Sequence, residues 1–370
     1  MLLINNDIVR EVLTMQACIE SQETAFLGLV EGDSVARGRI DVYVPCDRPD
    51  GYYRWGTMEG ANKATGIFAI RMKSDVVHWP EDEKGNWTEE KYCMEPGTYC
   101  GLVMLFSTRN GEPLAIINEG VLQHMRVGGG AGIGAKYLAR EDSHTIAMIG
   151  SGGMARTYLD AFCCVRDIRK VRVYSPTRAN REAYAEEMSQ KHRIDVEPVD
   201  EAEKAVKGAD IVSTCTDSMA PALKGEWLEP GQHVTNLGYF EMDDAVFERC
   251  NVTIKQGMSA VFPANEEISK VDVGRGHSPV AYIAGTAEEQ ERLPKSNQRF
   301  KTSHKHPSFP DLAGGKTPGR KSREDITFYI NGGLQGLQFA ATGGVVYEEA
   351  TKRGLGQKLP TEWFLQDIRD

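Results

Sequence analysis

No stretch of this chain stays apolar long enough to cross a bilayer, and no early segment joins a charged start to an apolar run and a small-residue cleavage site. The expectation is therefore a cytoplasmic protein with no membrane partner. C-x-x-C pairs are missing too. The eight cysteines (Cys18, Cys46, Cys93, Cys100, Cys163, Cys164, Cys215 and Cys250) are scattered, which argues for reduced, packed thiols rather than a disulfide framework or a zinc site. The eight histidines show no H-E-x-x-H spacing, and His304 and His306 share a polar loop suited only to adventitious metal, so no metal centre is expected. Excess positive charge is absent as well. With 43 basic against 53 acidic residues, the net charge of −10 argues against a nucleic-acid or membrane-surface partner. No internal repeat is visible, and 370 residues suit two domains of ordinary size.

The chain is organised around Ile146-Ala147-Met148-Ile149-Gly150-Ser151-Gly152-Gly153-Met154-Ala155-Arg156. An apolar run breaks into glycines, and helical spacing follows (Thr157, Tyr158, Leu159, Ala161, Phe162), which predicts a strand, a tight turn and a helix N-terminus. Gly150 permits the turn, Gly152 admits a close ligand, and Ala155 is small enough for the helix to pack on the strand. The free N–H groups at the helix start favour an anionic pyrophosphate. A lone G-x-G-x-x-A is also compatible with an ordinary turn. Here, however, strand patterns recur at Lys170–Ser175 and Ala209–Thr214, as a Rossmann-type dinucleotide-binding domain requires. Candidate cofactor contacts are Gly150, Ser151, Gly152, Gly153, Met154, Ala155, Thr214, Cys215, Thr216 and Gly238.

The end of the second strand bears on which cofactor is used. An NAD site places Asp or Glu there for the ribose 2′-hydroxyl, and that carboxylate repels a 2′-phosphate. This chain reads Ser175-Pro176-Thr177-Arg178, two hydroxyls and a guanidinium, which favours NADP with NAD as the alternative. The bland reading of the same residues is a solvated turn capping the next helix.

Residues 1–35 read as a strand and an amphipathic helix, and Arg39 to Phe106 as short strands with frequent breakers. Ser107–Pro113 carries Asn110-Gly111 and predicts a hairpin turn. The glycine cluster from Arg126 to Lys136 imitates a phosphate loop. Tyr137 follows the lysine where Ser or Thr belongs and no strand precedes it, so close helix packing is the expectation. Residues 80–97 and 294–321 are polar segments, lids or plain loops, the second strongly basic. The aromatic set Tyr52, Tyr53, Trp55, His78 and Trp79 is a candidate pocket wall or a packed core.

Several blocks together carry a family likeness: Gly111-Glu112-Pro113-Leu114-Ala115-Ile116-Ile117, Leu122 to Arg126, Gly134 to Arg140, Ile149 to Gly152, Ala209 to Val212, and Gly225 to Gly231. Over nearly its whole length the chain resembles the ornithine cyclodeaminase/mu-crystallin family. That resemblance implies an α/β fold in which a Rossmann domain, residues 126–325, interrupts a discontinuous α+β substrate and dimerisation domain of residues 1–125 and 326–370. It implies a homodimer, an active site in the interdomain cleft, and a substrate carboxylate held by basic residues. Arg39 and Arg126 stand where the family has arginines. Arg71 replaces a lysine, keeping charge but not a proton donor, since arginine stays protonated. Lys73 shares a strand face with Arg71 and can take that role if it points inward. Where cyclodeaminases carry an aspartate, this chain has Phe240, with Glu241 and Asp243 offset from that position.

Three functions follow. The first is NADPH-dependent reduction of the C=N bond of an imino acid or ketimine, or of a 2-oxo acid condensed with an amine. Arg39, Arg71, Lys73 and Arg126 would bind the substrate, and Lys73, Tyr239 or water would supply the proton. The second is a cyclodeaminase-type lyase recycling bound NAD, opposed by the missing aspartate. The third is a non-catalytic NADPH-binding protein of the mu-crystallin kind.

Overall fold

The computed structural model describes residues 1–81, 83, 88–238, 240–257, 281–294 and 305–368. In chain order the first strands are β1 (Leu2–Ile4), β2 (Ser34–Ala36), β3 (Ile40–Pro45), β4 (Tyr52–Asn62), β5 (Ile67–His78), β6 (Glu90–Tyr92), β7 (Cys100–Ser107) and β8 (Pro113–Asn118). There follow β9 (Thr145–Ile149), β10 (Lys170–Tyr174), β11 (Asp195–Val199), β12 (Ile211–Thr214), β13 (His233–Thr235), β14 (Val252–Lys255), β15 (Ala281–Ile283), β16 (Thr327–Ile330) and β17 (Gln357–Lys358). The helices that matter to the site are α1 (Asn6–Val12), α2 (Met15–Glu31), α3 (Glu119–Leu138), α4 (Gly153–Val165), α5 (Arg178–His192) and the last long helix, Gln335–Arg353.

A ten-stranded, mostly antiparallel sheet runs β15-β3-β4-β5-β7-β8-β1-β17, with β2 on β4 and β6 on β5. Burial alternates along β4, and along β5 except at Lys73, so one face packs on a core. That core is covered by α2, α3 and the last long helix. The seven-stranded sheet, β11-β10-β9-β12-β13-β16-β14, is wholly parallel. β9, β12 and β16 are buried almost throughout, as a sheet covered on both faces requires. Its order reverses between β9 and β12, where β10 lies to one side and β13 to the other. A ligand crevice opens at such a switch point.

The chain crosses between the sheets differently from the expected division. β15, at 281–283, pairs with Asp41–Tyr43 of β3 and so belongs to the first sheet, although it falls inside the segment 126–325. β16, at 327–330, lies between β13 and β14 in the second sheet, although it falls inside 326–370. Neither strand has a periodicity that tells which sheet it joins.

The first 35 residues hold two helices rather than one. Thr14 breaks the pattern by capping α2, its hydroxyl accepting from the Ala17 N–H at 3.2 Å, and Gly32 ends that helix at φ +80°. Phe26 on α2 is fully buried against Phe309 at 5.8 Å between ring centroids, a burial worth about 1.5–3 kcal/mol. The Ser107–Pro113 turn forms as expected, with Gly111 at φ +79°.

The glycine cluster is the middle of α3, and it is a packing ridge. A Cβ at Gly128 would sit 2.5 Å from the Thr157 carbonyl oxygen on α4, and one at Gly132 would crowd Ala161 of α4 and Ile19 of α2. Only a side-chain-free ridge lets α3 lie against both helices at once.

The aromatic set divides: Tyr52 and Trp79 join a core, whereas Tyr53 lines a cavity. Tyr43, Tyr52 and Trp79 pack together beneath Ala281 and Leu293, and His78 stacks on Tyr92. All eight cysteines are free thiols.

Candidate active site in the cleft between the sheets

A cavity of about 330 Å³ opens between the two sheets. The first sheet contributes Met58, Arg71 and Lys73, with Arg39 just before β3. α3 contributes Gln123 and Arg126, and the nucleotide side contributes Thr216, Leu237, Gly238, Phe240 and Asn331. The four basic residues singled out from the sequence therefore meet at one cavity.

Strand register explains how the sheet holds so much charge. Lys73 is flanked by Gly56 of β4 on one side and Gly101 of β7 on the other. A Cβ at Gly56 would sit 2.5 Å from Asp41 Oδ1, and one at Gly101 would collide with Glu119. The two glycines thus leave slots filled by the partners of Arg39 and Arg71. Arg39 grips buried Asp41 with Nε and Nη2, both at 2.8 Å. Arg71 forms a fork with the Glu119 carboxylate, and its Nη1 remains buried without a hydrogen-bond partner.

Arg126 is different. Its guanidinium is buried, yet it donates only to neutral amides: Nη1 to Gln338 Oε1 at 2.9 Å and Nη2 to Gln123 Oε1 at 2.8 Å. Among the described residues no carboxylate lies within ion-pair distance of it. Burial, reinforced by the like charge of Arg71, pulls its pKa down to about 10. A buried cation held only by neutral groups is stabilised by an anion brought beside it.

Lys73 Nζ lies 3.0 Å from Asp75 Oδ2. Burial first, then Arg54, pulls its pKa down to about 7, outweighing the opposing pull of Asp75. It can therefore give up or accept a proton near neutrality, as a general acid or base must.

On the nucleotide side Gly150 has φ +111°, and a Cβ there would strike the Cys215 carbonyl oxygen. Gly152 occupies the N-cap of α4 without any side-chain cap, and a Cβ placed on it would meet nothing within 4 Å. The start of this 13-residue helix thus carries no side-chain cap and has room beside Gly152, which fits a dinucleotide pyrophosphate. Arg156 braces the turn, donating from Nη1 to Ser151 O at 2.7 Å and Gly152 O at 3.1 Å. His124 of α3 abuts Gly153, linking the glycine turn to the helix that carries Gln123 and Arg126.

Other predicted contacts sit less directly. Ala155 is buried and Met154 packs into the helix–strand core. Cys215 turns its thiol inward, 3.6 Å from Ser213 Oγ, so only its backbone borders the crevice. Ser175 is buried, and Thr177 stands at the N-cap of α5 with no side-chain cap bond, so the alternative reading of a capping hydroxyl is not realised at Thr177. Arg178 points outward and pairs with Glu182 at 2.7 Å. No carboxylate occupies Ser175 to Asn180. Tyr239 lies outside the described residues, as does His304.

Glu241 does not replace the missing aspartate. It is buried, and its carboxylate accepts from Thr214 Oγ1, the Thr216 N–H and Oγ1, and the N–H groups of Leu237 and Gly238. All of its accepting capacity goes into tying the ends of β12 and β13 together. Phe240 beside it lines the cavity.

Sequence reasoning missed Glu119, Gln123, Gln338 and Asn331. Glu119 meets Arg71 only through the register of β5, β7 and β8. Asn331 donates from Nδ2 to Tyr158 Oη at 2.7 Å and to the Val127 carbonyl at 3.0 Å, joining α4 and α3 beside the cavity. Asp75 had a signal, since it follows Arg71 and Lys73 at alternate positions of β5.

Fold and site together define a Rossmann-type protein whose cleft gathers Arg39, Arg71, Lys73 and Arg126 opposite a glycine turn. Residues 89–354 match the model of the ornithine cyclodeaminase/mu-crystallin family, and the chain belongs to that family. A Delta(1)-pyrroline-2-carboxylate reductase from Bacillus cereus is 27% identical over 299 residues, 80% of this chain and 82% of that one. An alanine dehydrogenase from Archaeoglobus fulgidus is 27% identical over 268 residues, covering 71% and 74%. The structure of Thermococcus litoralis Delta(1)-pyrroline-2-carboxylate reductase in complex with NADH and L-proline superposes with a TM-score of 0.74 at 25% identity, covering 97% of this chain and all of that one.

Proposed function

We propose that this chain reduces the C=N bond of a small imino acid with NAD(P)H, a cyclic ketimine carboxylate such as Δ1-pyrroline-2-carboxylate being the first substrate to try. The observation that carries the reading is Arg126, a buried cation held by amides alone, lining the same cavity as Lys73. When bound, the reduced nicotinamide supplies hydride to the imine carbon. Arg126 pairs with the substrate carboxylate, the unpartnered Nη1 of Arg71 adds a second donor, and Arg39 sits at the margin with its own acid satisfied. Fixing the carboxylate fixes the imine carbon, and such positioning supplies a large share of the acceleration. Lys73 protonates the nitrogen. Met58, Val127, Leu237 and Phe240 form an apolar wall for the ring or side chain, and Glu241 is committed elsewhere, so an ω-ammonium finds no acid from it.

NADP is the preferred dinucleotide in this reading, with NAD accepted. Ser175, Thr177 and Arg178 favour the 2′-phosphate, while the solved relative with proline carries NADH. The outer face of the first sheet exposes part of Phe68, Ile70, Met72, Met104 and Phe106, an apolar surface suited to a second copy in a cytoplasmic homodimer. The test is oxidation of NADPH and NADH, followed by absorbance, against cyclic imines and oxo acids with amines. Turnover with an imino acid supports reduction. Ammonia released from ornithine without net cofactor consumption sinks it, and tight dinucleotide binding with neither reaction favours a binding protein.

A further inference from the structure

A second cavity, of about 340 Å³, lies end to end with the first along β5. It opens where β5 changes partner, since β7 pairs with it as far as Ser74 and β6 takes over from Val76. Asp75 falls in that gap. Lys91, Cys93, Tyr99 and Cys100 line the cavity with it, and Met94, Thr98, Tyr99 and Cys100 are exposed at its rim. A space of this size, reaching the surface and bordered by polar groups, takes several waters at about 30 Å³ each.

Asp75 joins the two cavities. On one side its Oδ2 receives Lys73 at 3.0 Å and Arg54 Nη2 at 2.7 Å. On the other its Oδ1 is buried without a hydrogen-bond partner, 3.9 Å from Lys91 Nζ. Lys91 and Lys73 both stand over the Tyr99 ring, at 4.6 and 5.3 Å from its centroid. The titratable and charged groups around Lys73 are Arg39 and Asp41 at β3, Arg54 on β4, Arg71 and Asp75 on β5, Lys91 on β6, Tyr99 before β7 and Glu119 opening α3. Among the described residues Asp75 is the one acid within ion-pair distance of Lys73.

We propose that Asp75 and Lys91 form a proton inlet, returning a proton from water in the second cavity to Lys73 after each turnover while substrate and dinucleotide close the first. This rests on the reductase reading. One N–H bond of the Lys73 ammonium breaks as an N–H bond forms on the imine nitrogen and hydride reaches the carbon. The neutral Lys73 amine then takes a proton through the Asp75 carboxylate, which takes one at Oδ1 from the Lys91 ammonium, and the partly exposed Lys91 amine recovers it from water in the second cavity. One solvent proton enters per hydride spent, and no further reactant is needed. Asp75 and Lys91 are positioning residues, since neither touches the substrate.

Two measurements on the full chain test this. In the first, Lys73 of the dinucleotide-free protein is acylated at a series of pH values and quantified by mass spectrometry. Asp75→Asn is expected to lower the midpoint of that reaction by about one pH unit or more, because an acid that favours the ammonium is lost. In the second, Lys91→Met, a change on a partly exposed edge strand, is expected to lower kcat for imine reduction on the order of tenfold, with KM unchanged. Its solvent deuterium isotope effect should grow, and added methylammonium should restore the rate. An unmoved midpoint, or a Lys91→Met enzyme with wild-type kcat and isotope effect, overturns the inlet. If the wild type reduces no imine, the reductase reading fails, whereas the acylation midpoint still decides the Lys73–Asp75 coupling without turnover.

Discussion

The two walls of the cleft are built on opposite plans. The parallel-sheet wall presents backbone: a glycine turn, an uncapped helix start and two strand ends tied by Glu241. The antiparallel wall presents side chains: Arg39, Arg71 and Lys73, packed through slots that two glycines leave open, joined in the cavity lining by Arg126 of α3. A backbone wall tolerates exchange of most side chains but not a change of φ. A side-chain wall tolerates small backbone shifts, but it depends on each charge and on the register that aligns it.

The contrast is sharpest at Lys73. Lys73→Met is expected to lower kcat by about 10²–10⁴-fold, the usual worth of a general acid, while dinucleotide affinity holds. With its pKa near 7, the donor form is lost as pH rises through about 7, so wild-type kcat should fall on the alkaline side of that value. The sign for stability runs the other way. Between about 7 and 10.5 the unfolded chain holds a proton on this lysine that the folded chain has shed, so stability rises with pH across that window. Below it, Lys73→Met should melt higher than wild type.

Arg126→Met is expected to cost about 2–4 kcal/mol of transition-state binding, roughly 30- to 1,000-fold in kcat/KM, with dinucleotide titrations unchanged. If dinucleotide affinity fell equally, the two walls would not be separable. The backbone counterpart is Gly150→Ala. A positive φ and a collision with the Cys215 carbonyl predict about 1–3 kcal/mol of lost stability, read as a lower Tm, together with weakened dinucleotide binding. Arg178→Ala is the smallest change. It is expected to raise KM for NADPH by roughly tenfold or less and leave NADH untouched, because the guanidinium is exposed and its ion pair is solvated.

Legibility in the sequence follows the same divide. The strand–turn–helix at Gly150 was readable because its signals are local: an apolar run, glycines at fixed spacing and a helical period within a few residues. Arg39, Arg71 and Arg126 were recognisable as charges, but not their unequal states. Whether an arginine is paired depends on Asp41, Glu119 and Gln338, and two of these three are brought in from 48 and 212 residues away by strand register and helix packing. The sheet assignment of β15 and β16 was closed to sequence reasoning for the same reason. Each is a short apolar strand that either sheet would accept.

The last long helix sets an order on how the chain is completed. Gly60 of β4 meets Gly336 and Leu337 so closely that no Cβ fits between them, and the hydrophobic core under the first sheet includes Leu337, Phe339, Ala340 and Val346. A nascent chain emits the first eight strands early, yet the helix that closes over them comes more than 200 residues later. The βαβ units from β9 to β13 find their partners within far shorter spans, so their loop-closure cost is met sooner. The half that the ribosome begins first is therefore the half that is finished last.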